Sequence, residues 1–262
     1  MQRTTMSYMV ATILTLAAVS GIAMQSSTQM THAQAPTLVS SPACGQVVKG
    51  NITLTADLKC PGDGLIVGSD NAVIDLAGYS ITGTGPDSSK VGIVVPNSDG
   101  VQIKGPGSLR AFQAGILITG SDGTSVKRVT FDGNKIAVFM TGTSNTVVEQ
   151  NVIGPNNIGV AAHSSDLVDV HANLMSSNTL AGVTFVNTDK SVIWANSVGG
   201  SANGIFSDSQ SSKNELKFNN VLGNTVDINN ADGLPININE NTYLKNNCNT
   251  SNPVGVCVGT SS

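Results

Sequence analysis

The chain has 262 residues, a net charge of −4, 11% charged and 4% aromatic residues, and 28 glycines. So few charges, and those mostly acidic, argue against a nucleic-acid-binding surface. The wealth of small, β-branched and turn-forming residues argues against a helical bundle and for many short strands.

In chain order, the first segment reads as an export signal. Arg3 is the only charge before the apolar run Tyr8–Met24, and Thr31-His-Ala-Gln-Ala35 supplies small residues for cleavage, expected after Ala33. A retained membrane anchor is the rival reading, but a full crossing needs roughly 20 apolar residues. With residues 1–33 removed, 12 basic residues face 17 acidic ones, 12 − 17 = −5, and no integral membrane segment is expected to remain. The chain is therefore expected in a secreted, periplasmic or cell-surface location.

Residues 36–60 are expected to form an N-terminal cap, 61–232 a run of repeats, and 233–262 a C-terminal cap. Cys44 and Cys60 flank the start of the repeats, and Cys248 and Cys257 follow their end. Export favours disulfides. If the repeats stack, only the two local pairings lie within the ~7 Å that a disulfide allows between Cα atoms. Zinc is the alternative, but there is no CxxC and no histidine beside either pair. Two bridges, Cys44–Cys60 and Cys248–Cys257, are expected to clamp the ends.

The repeat is visible in four registers. Gly92, Gly115, Ala137, Gly159, Gly182 and Gly204 open apolar triplets at spacings of 23, 22, 22, 23 and 22. Ile103, Val126, Val148, Val170, Ile193 and Leu216 keep the same period, as does the series Asn151, Asn173, Asn196, Asn219, and a turn series of Asp or Asn (Asp70, Asp99, Asp122, Asn145, Asp166, Asp189) follows it with a longer first step of 29 and one step of 21. Within each repeat, apolar and polar residues alternate over three to five positions and then meet turn residues, without any 3.6-residue period. A period this short, with no helical segment, implies about seven coils of three short strands stacked into parallel sheets.

The segment CPGDGLIVGSDNAVIDLAGYSITG (Cys60–Gly83) resembles the first coil, and NTYLKNNCNTSNPVGVC (Asn241–Cys257) the closing segment, of right-handed parallel β-helix repeat proteins of the pectin-lyase-like class. The resemblance implies an all-β, right-handed, single-stranded solenoid. It brings no enzyme motif with it. Arg110 and Arg128 lack the aspartate cluster of the calcium-dependent lyases. Asn187-Thr188-Asp189 matches one polygalacturonase motif without its companions, and the Asp-Pro-His of the alginate epimerases is missing. No metal ligands are assigned and no cofactor is expected; calcium, which a lyase would bring, has no motif here.

Strand alternation turns the inward registers into outward ones. If Val170 points inward, the next residue of each coil forms an outer column: Asp75, Lys104, Lys127, Glu149, His171, Trp194, Lys217. The residue before it forms another, with Asp169 beside His171. Glu149 and His171 then stand one strand spacing apart, about 5 Å. A carboxylate beside an imidazole can fix its tautomer and move a proton, and an indole can stack on a sugar ring. The candidate catalytic residues are Glu149, Asp169, His171 and Lys127, and the candidate ligand-binding residues are Trp194 and Lys217. A second outer column, Val94, Leu117, Phe139, Ala161, Thr184 and Phe206, is apolar and adds Phe139 and Phe206 as ligand contacts.

Three functions are compatible with these residues. The leading one is binding of a polysaccharide or other extended cell-envelope polymer along an outer sheet face. The others are a divergent polysaccharide lyase or glycoside hydrolase, and a structural envelope or adhesion element with a merely solvated face.

Overall fold

A computed structural model describes residues 42–258. The expected export signal, 1–33, lies outside the described residues. Every regular element among them is a β-strand, and every strand pairing is parallel. The strands fall into a ten-stranded first sheet, a nine-stranded second sheet and an eight-stranded third sheet, which the chain visits in rotation. One coil thus runs Ile136–Thr141, Val147–Glu149, Val152–Ile153, and the next runs Ile158–His163, Asp169–His171, Leu174–Ser176.

The solenoid has about nine turns rather than seven. The segments expected to cap the repeats themselves carry strands: Gln46–Val48, Ile52–Thr53 and Leu58–Lys59 make a first coil, and Thr242–Leu244 and Ser251–Asn252 extend the second and first sheets. Ile52 and Leu58 keep the period, 22 and 23 residues before their partners Ile74 and Ile81, and pack on the core, whereas Gln46 lies 19 residues before Leu65 and Thr242 lies 27 after Glu215.

The core is what the inward registers dictate. Ile103, Val126, Val148, Val170, Ile193 and Leu216 stack in direct register in the second sheet and are all buried. Phe112, Phe131 and Phe185 are the largest fully buried side chains. Each such ring removes apolar surface from water on every side, about 1.5–3 kcal/mol per side chain.

The asparagine register proves to be an internal ladder and not a set of surface turns. Asn151, Asn173, Asn196 and Asn219 are buried. The Oδ1 of each accepts the backbone N–H of its counterpart one coil earlier: Asn151 donates to Asn173 at 2.9 Å, Asn173 to Asn196 at 3.0 Å, Asn196 to Asn219 at 3.1 Å. Asn134, Asn156 and Asn178 form a second such ladder. The corner between sheets has no regular strand to satisfy its amides, and a stacked side-chain amide does so at each coil.

The cysteines pair as Cys44–Cys60 and Cys248–Cys257, with Cα separations of 5.4 and 5.0 Å. No helix among the described residues is long and apolar enough to cross a membrane.

Candidate functional site

On the outer face of the second sheet, the ladder places Lys104, Lys127, Glu149, His171, Trp194 and Lys217 directly opposite one another in successive strands. From Lys127 onward each coil leaves this column by the same route: the next residue is left-handed (Arg128, Gln150, Ala172, Ala195 and Phe218, with φ of 53–56°), and it turns the chain sharply toward the third sheet. After Gln150, Ala172, Ala195 and Phe218 comes the ladder asparagine. The Nδ2 of Asn173 donates to the carbonyl of His171 at 2.9 Å and to that of Val148 at 2.8 Å, tying two strands of the site together from inside. The His171 backbone is thus held by the core amide ladder, and its side chain stands outward with only 16% of its surface exposed.

Four side chains converge there. The His171 Nδ1 lies 2.9 Å from Asp169 Oδ1 and its Nε2 lies 3.2 Å from Glu149 Oε2. The Trp194 indole stacks on the imidazole, centroids 4.5 Å apart and planes 14° from parallel, and its N–H donates to the same Asp169 Oδ1 at 2.9 Å. Ionised carboxylates only accept. An ionised Asp169 therefore accepts the Nδ1–H, and the opposite ring nitrogen faces Glu149 at ion-pair distance.

The other expected residues are placed as follows. Lys127 stands opposite Glu149, yet its ammonium enters no ion pair among the described residues. Lys217 stands opposite Trp194, and its Nζ is held by Glu215 of its own strand at 2.6 Å. Lys104 is held by Asp75 at 3.1 Å. Phe139 and Phe206 are not part of this cluster: they lie half-buried on the outer face of the first sheet, three coils apart in one register. His163 is on that sheet too, with Thr141 Oγ1 3.5 Å from its Nδ1.

Sequence reasoning brought Glu149, Asp169, His171 and Trp194 to one place. It did not foresee that Trp194 turns a face to His171 or shares the Asp169 oxygen with it. Spacing predicts neighbours, but rotamers decide which atoms meet.

Among solved structures, the periplasmic alginate epimerase AlgG is similar over 80% of this chain and 72% of its own, at 13% identity and a TM-score of 0.56. The enzymatically active domain of a bacteriophage CBA120 tailspike protein is similar over 80% of this chain and 36% of its own, again at 13% identity and 0.56. These likenesses establish the right-handed β-helix fold and nothing about chemistry. No curated protein matches the chain. The family model that matches, over residues 47–256, is described as periplasmic copper-binding protein (NosD).

The described residues do not fit a copper ion. All four cysteines are bound in disulfides, His163 and His171 stand on different sheets, and no three His, Cys, Asp or Glu side chains among the described residues are arranged to hold a metal ion. Both nitrogens of His171, the side chain a copper ion would need, already face carboxylate oxygens. Matched over residues 47–256, the chain nonetheless belongs by sequence and fold to the NosD family.

Proposed function

We propose that this protein binds an extended polysaccharide along the outer face of its second sheet, in the periplasm or at the cell surface. The observation that carries this reading is the Glu149–His171–Asp169–Trp194 cluster, set on an open face beside the unpaired Lys127. The cluster is preorganised: its side chains hold one another, so a ligand need not order them. Both ring nitrogens of His171 already face carboxylate oxygens, so the protein orients the imidazole before any ligand arrives. What remains open to a ligand are the other carboxylate oxygens, the Lys127 ammonium and the exposed edge of the ring stack. These groups suit sugar hydroxyls and ring edges. A protein of similar fold is named as an alginate epimerase, which supports the reading by analogy only.

A second reading, a lyase or hydrolase, is favoured by one observation: His171 Nε2 and Glu149 Oε2 stand 3.2 Å apart on an open face, an imidazole–carboxylate pair of the kind that serves as acid and base at a glycosidic bond. One experiment separates the two. The protein is incubated with acidic and neutral polysaccharides, and both polymer affinity and chain length are followed. The binding reading expects retention without shortening, and loss of retention in Trp194→Ala and His171→Ala. Shortening that disappears in His171→Ala makes the protein an enzyme. Neither retention nor shortening of any polymer overturns both readings.

A further inference from the structure

A second candidate site lies on the first sheet, away from the His171 cluster. It is a cavity of about 190 Å³ with Ala114 and Ile136 on one side, Leu117 and Phe139 on the other, and Gln113 and Lys135 at its rim. Its origin is the glycine register. At Gly115 the ladder skips a residue, pairing Ala114 with Ile136 and Ile116 with Val138. A Cβ on Gly115 would stand 2.7 Å from the Ala137 carbonyl oxygen and 2.9 Å from the buried Phe131 ring. The backbone therefore dips toward the core at Gly115, and the side chains before and after it become the two walls of a trough.

The trough is not closed at its far end. The register carries its walls onward, Ile136 to Ile158 to Ala181 on one side and Phe139 to Ala161 to Thr184 to Phe206 on the other. With the small residues Ala161 and Thr184 between them, Phe139 and Phe206 stand three coils apart, about 14 Å. A ligand lying along the coil axis leaves the cavity over those small residues and meets a second aromatic ring.

The rim carries a sign. In an acidic chain, the only charged lining residue is Lys135, which is exposed and enters no ion pair among the described residues. Gln113, on the adjacent coil, offers both a donor and an acceptor. An occupant matching these features has an apolar face, a carboxylate at its edge, hydroxyls, and an extended form. We infer that this trough is a subsite for a carboxylate-bearing sugar ring of an acidic polysaccharide. The ring's C–H face rests on Leu117 and Phe139, and its carboxylate meets the Lys135 ammonium. The inference shares with the proposed function the class of ligand, but it uses a different sheet and different residues.

The test uses ¹⁵N-labelled protein titrated with a tetramer of galacturonate, its methyl ester and cellotetraose. Amide shifts are expected at Ala114, Leu117, Ile136 and Phe139. The acidic tetramer should bind several-fold more tightly than its ester at low salt, with the margin shrinking as salt is raised. Lys135→Ala should abolish that margin and Lys135→Arg should keep it; Phe139→Ala should weaken both ligands. Shifts confined to the strands of His171 and Trp194 would overturn this subsite while leaving the polymer reading intact. Equal binding of acid and ester, unchanged by Lys135→Ala, would overturn the acidic assignment. No shifts anywhere would overturn both.

Discussion

The indole of Trp194 lies nearly flat on the imidazole of His171, and both rings point an N–H at one oxygen, Asp169 Oδ1. One carboxylate thus fixes two aromatic rings from adjacent coils. Asp169 is a positioning residue for the cluster, and Trp194 is less a free platform for sugar than a wall of the site.

Because Trp194 is the only tryptophan in the chain, its fluorescence reports this arrangement directly. In Asp169→Ala both rings lose their shared acceptor, and the emission maximum should move to the red as the indole swings toward water. Asp169 is partly exposed, so the loss of stability should be small, about 1 kcal/mol. Unchanged emission would mean that stacking alone holds the ring.

The asparagine ladder should be intolerant of a change that looks conservative. Asn173→Ala removes the acceptor for the Asn151 N–H and Nδ2, leaving the buried N–H unpaired and Nδ2 with only the Val126 carbonyl, which should cost about 2–4 kcal/mol. Asn173→Asp should be no better. It keeps an acceptor but puts a carboxylate oxygen where Nδ2 now donates to the carbonyls of Val148 and His171. Denaturant midpoints of the two variants, set against Glu149→Gln on the surface, check this.

Alkaline pH should loosen the C-terminal coil. Burial raises the Tyr243 phenol to about 12, the Asn230 amide donating to its oxygen works against that, and Asp232 adds to the rise. Unfolded, the phenol ionises near 10. Below pH 10 both states keep the proton and the contribution to stability is complete. Between 10 and 12 only the unfolded chain gives it up, so stability falls as pH rises through that window. The fall should be shallower in Tyr243→Phe, measured by urea unfolding from pH 9 to 11.

Opening the N-terminal bridge should act locally. The Cys44–Cys60 bridge closes a 16-residue span, for which chain entropy suggests about 3 kcal/mol. In the Cys44→Ser, Cys60→Ser double variant, amide exchange should quicken in Gln46–Val48, Ile52–Thr53 and Leu58–Lys59 while the central coils keep their protection. Uniform loss of protection would show that the first coil is required for the rest.

How far the site was legible from the sequence follows from which interactions repeat. The column from Lys104 to Lys217 was readable because strand alternation and a steady 22–23-residue period put each outward residue beside its counterpart. Val170 inward makes His171 outward whatever the rotamers do. The terminal strands were harder to read, since Gln46–Val48 and Thr242–Leu244 pair at offsets of 19 and 27 residues and break the period. Nor was the burial of Asn151, Asn173, Asn196 and Asn219. A polar residue after a strand reads as a surface turn unless one knows that the next coil supplies its partner.

The sequence by itself determined that this is a parallel β-solenoid, which residues line its core, how its cysteines pair and which side chains share an outer column. Those are consequences of period and alternation, which a linear string carries in full. Only the tertiary structure decided that His171 faces carboxylates at both nitrogens, that Lys127 enters no ion pair among the described residues while Lys104 and Lys217 do, and that the glycine register opens a trough beside Phe139. These depend on side-chain torsions and on small departures of the backbone from the regular ladder, and neither is encoded in spacing.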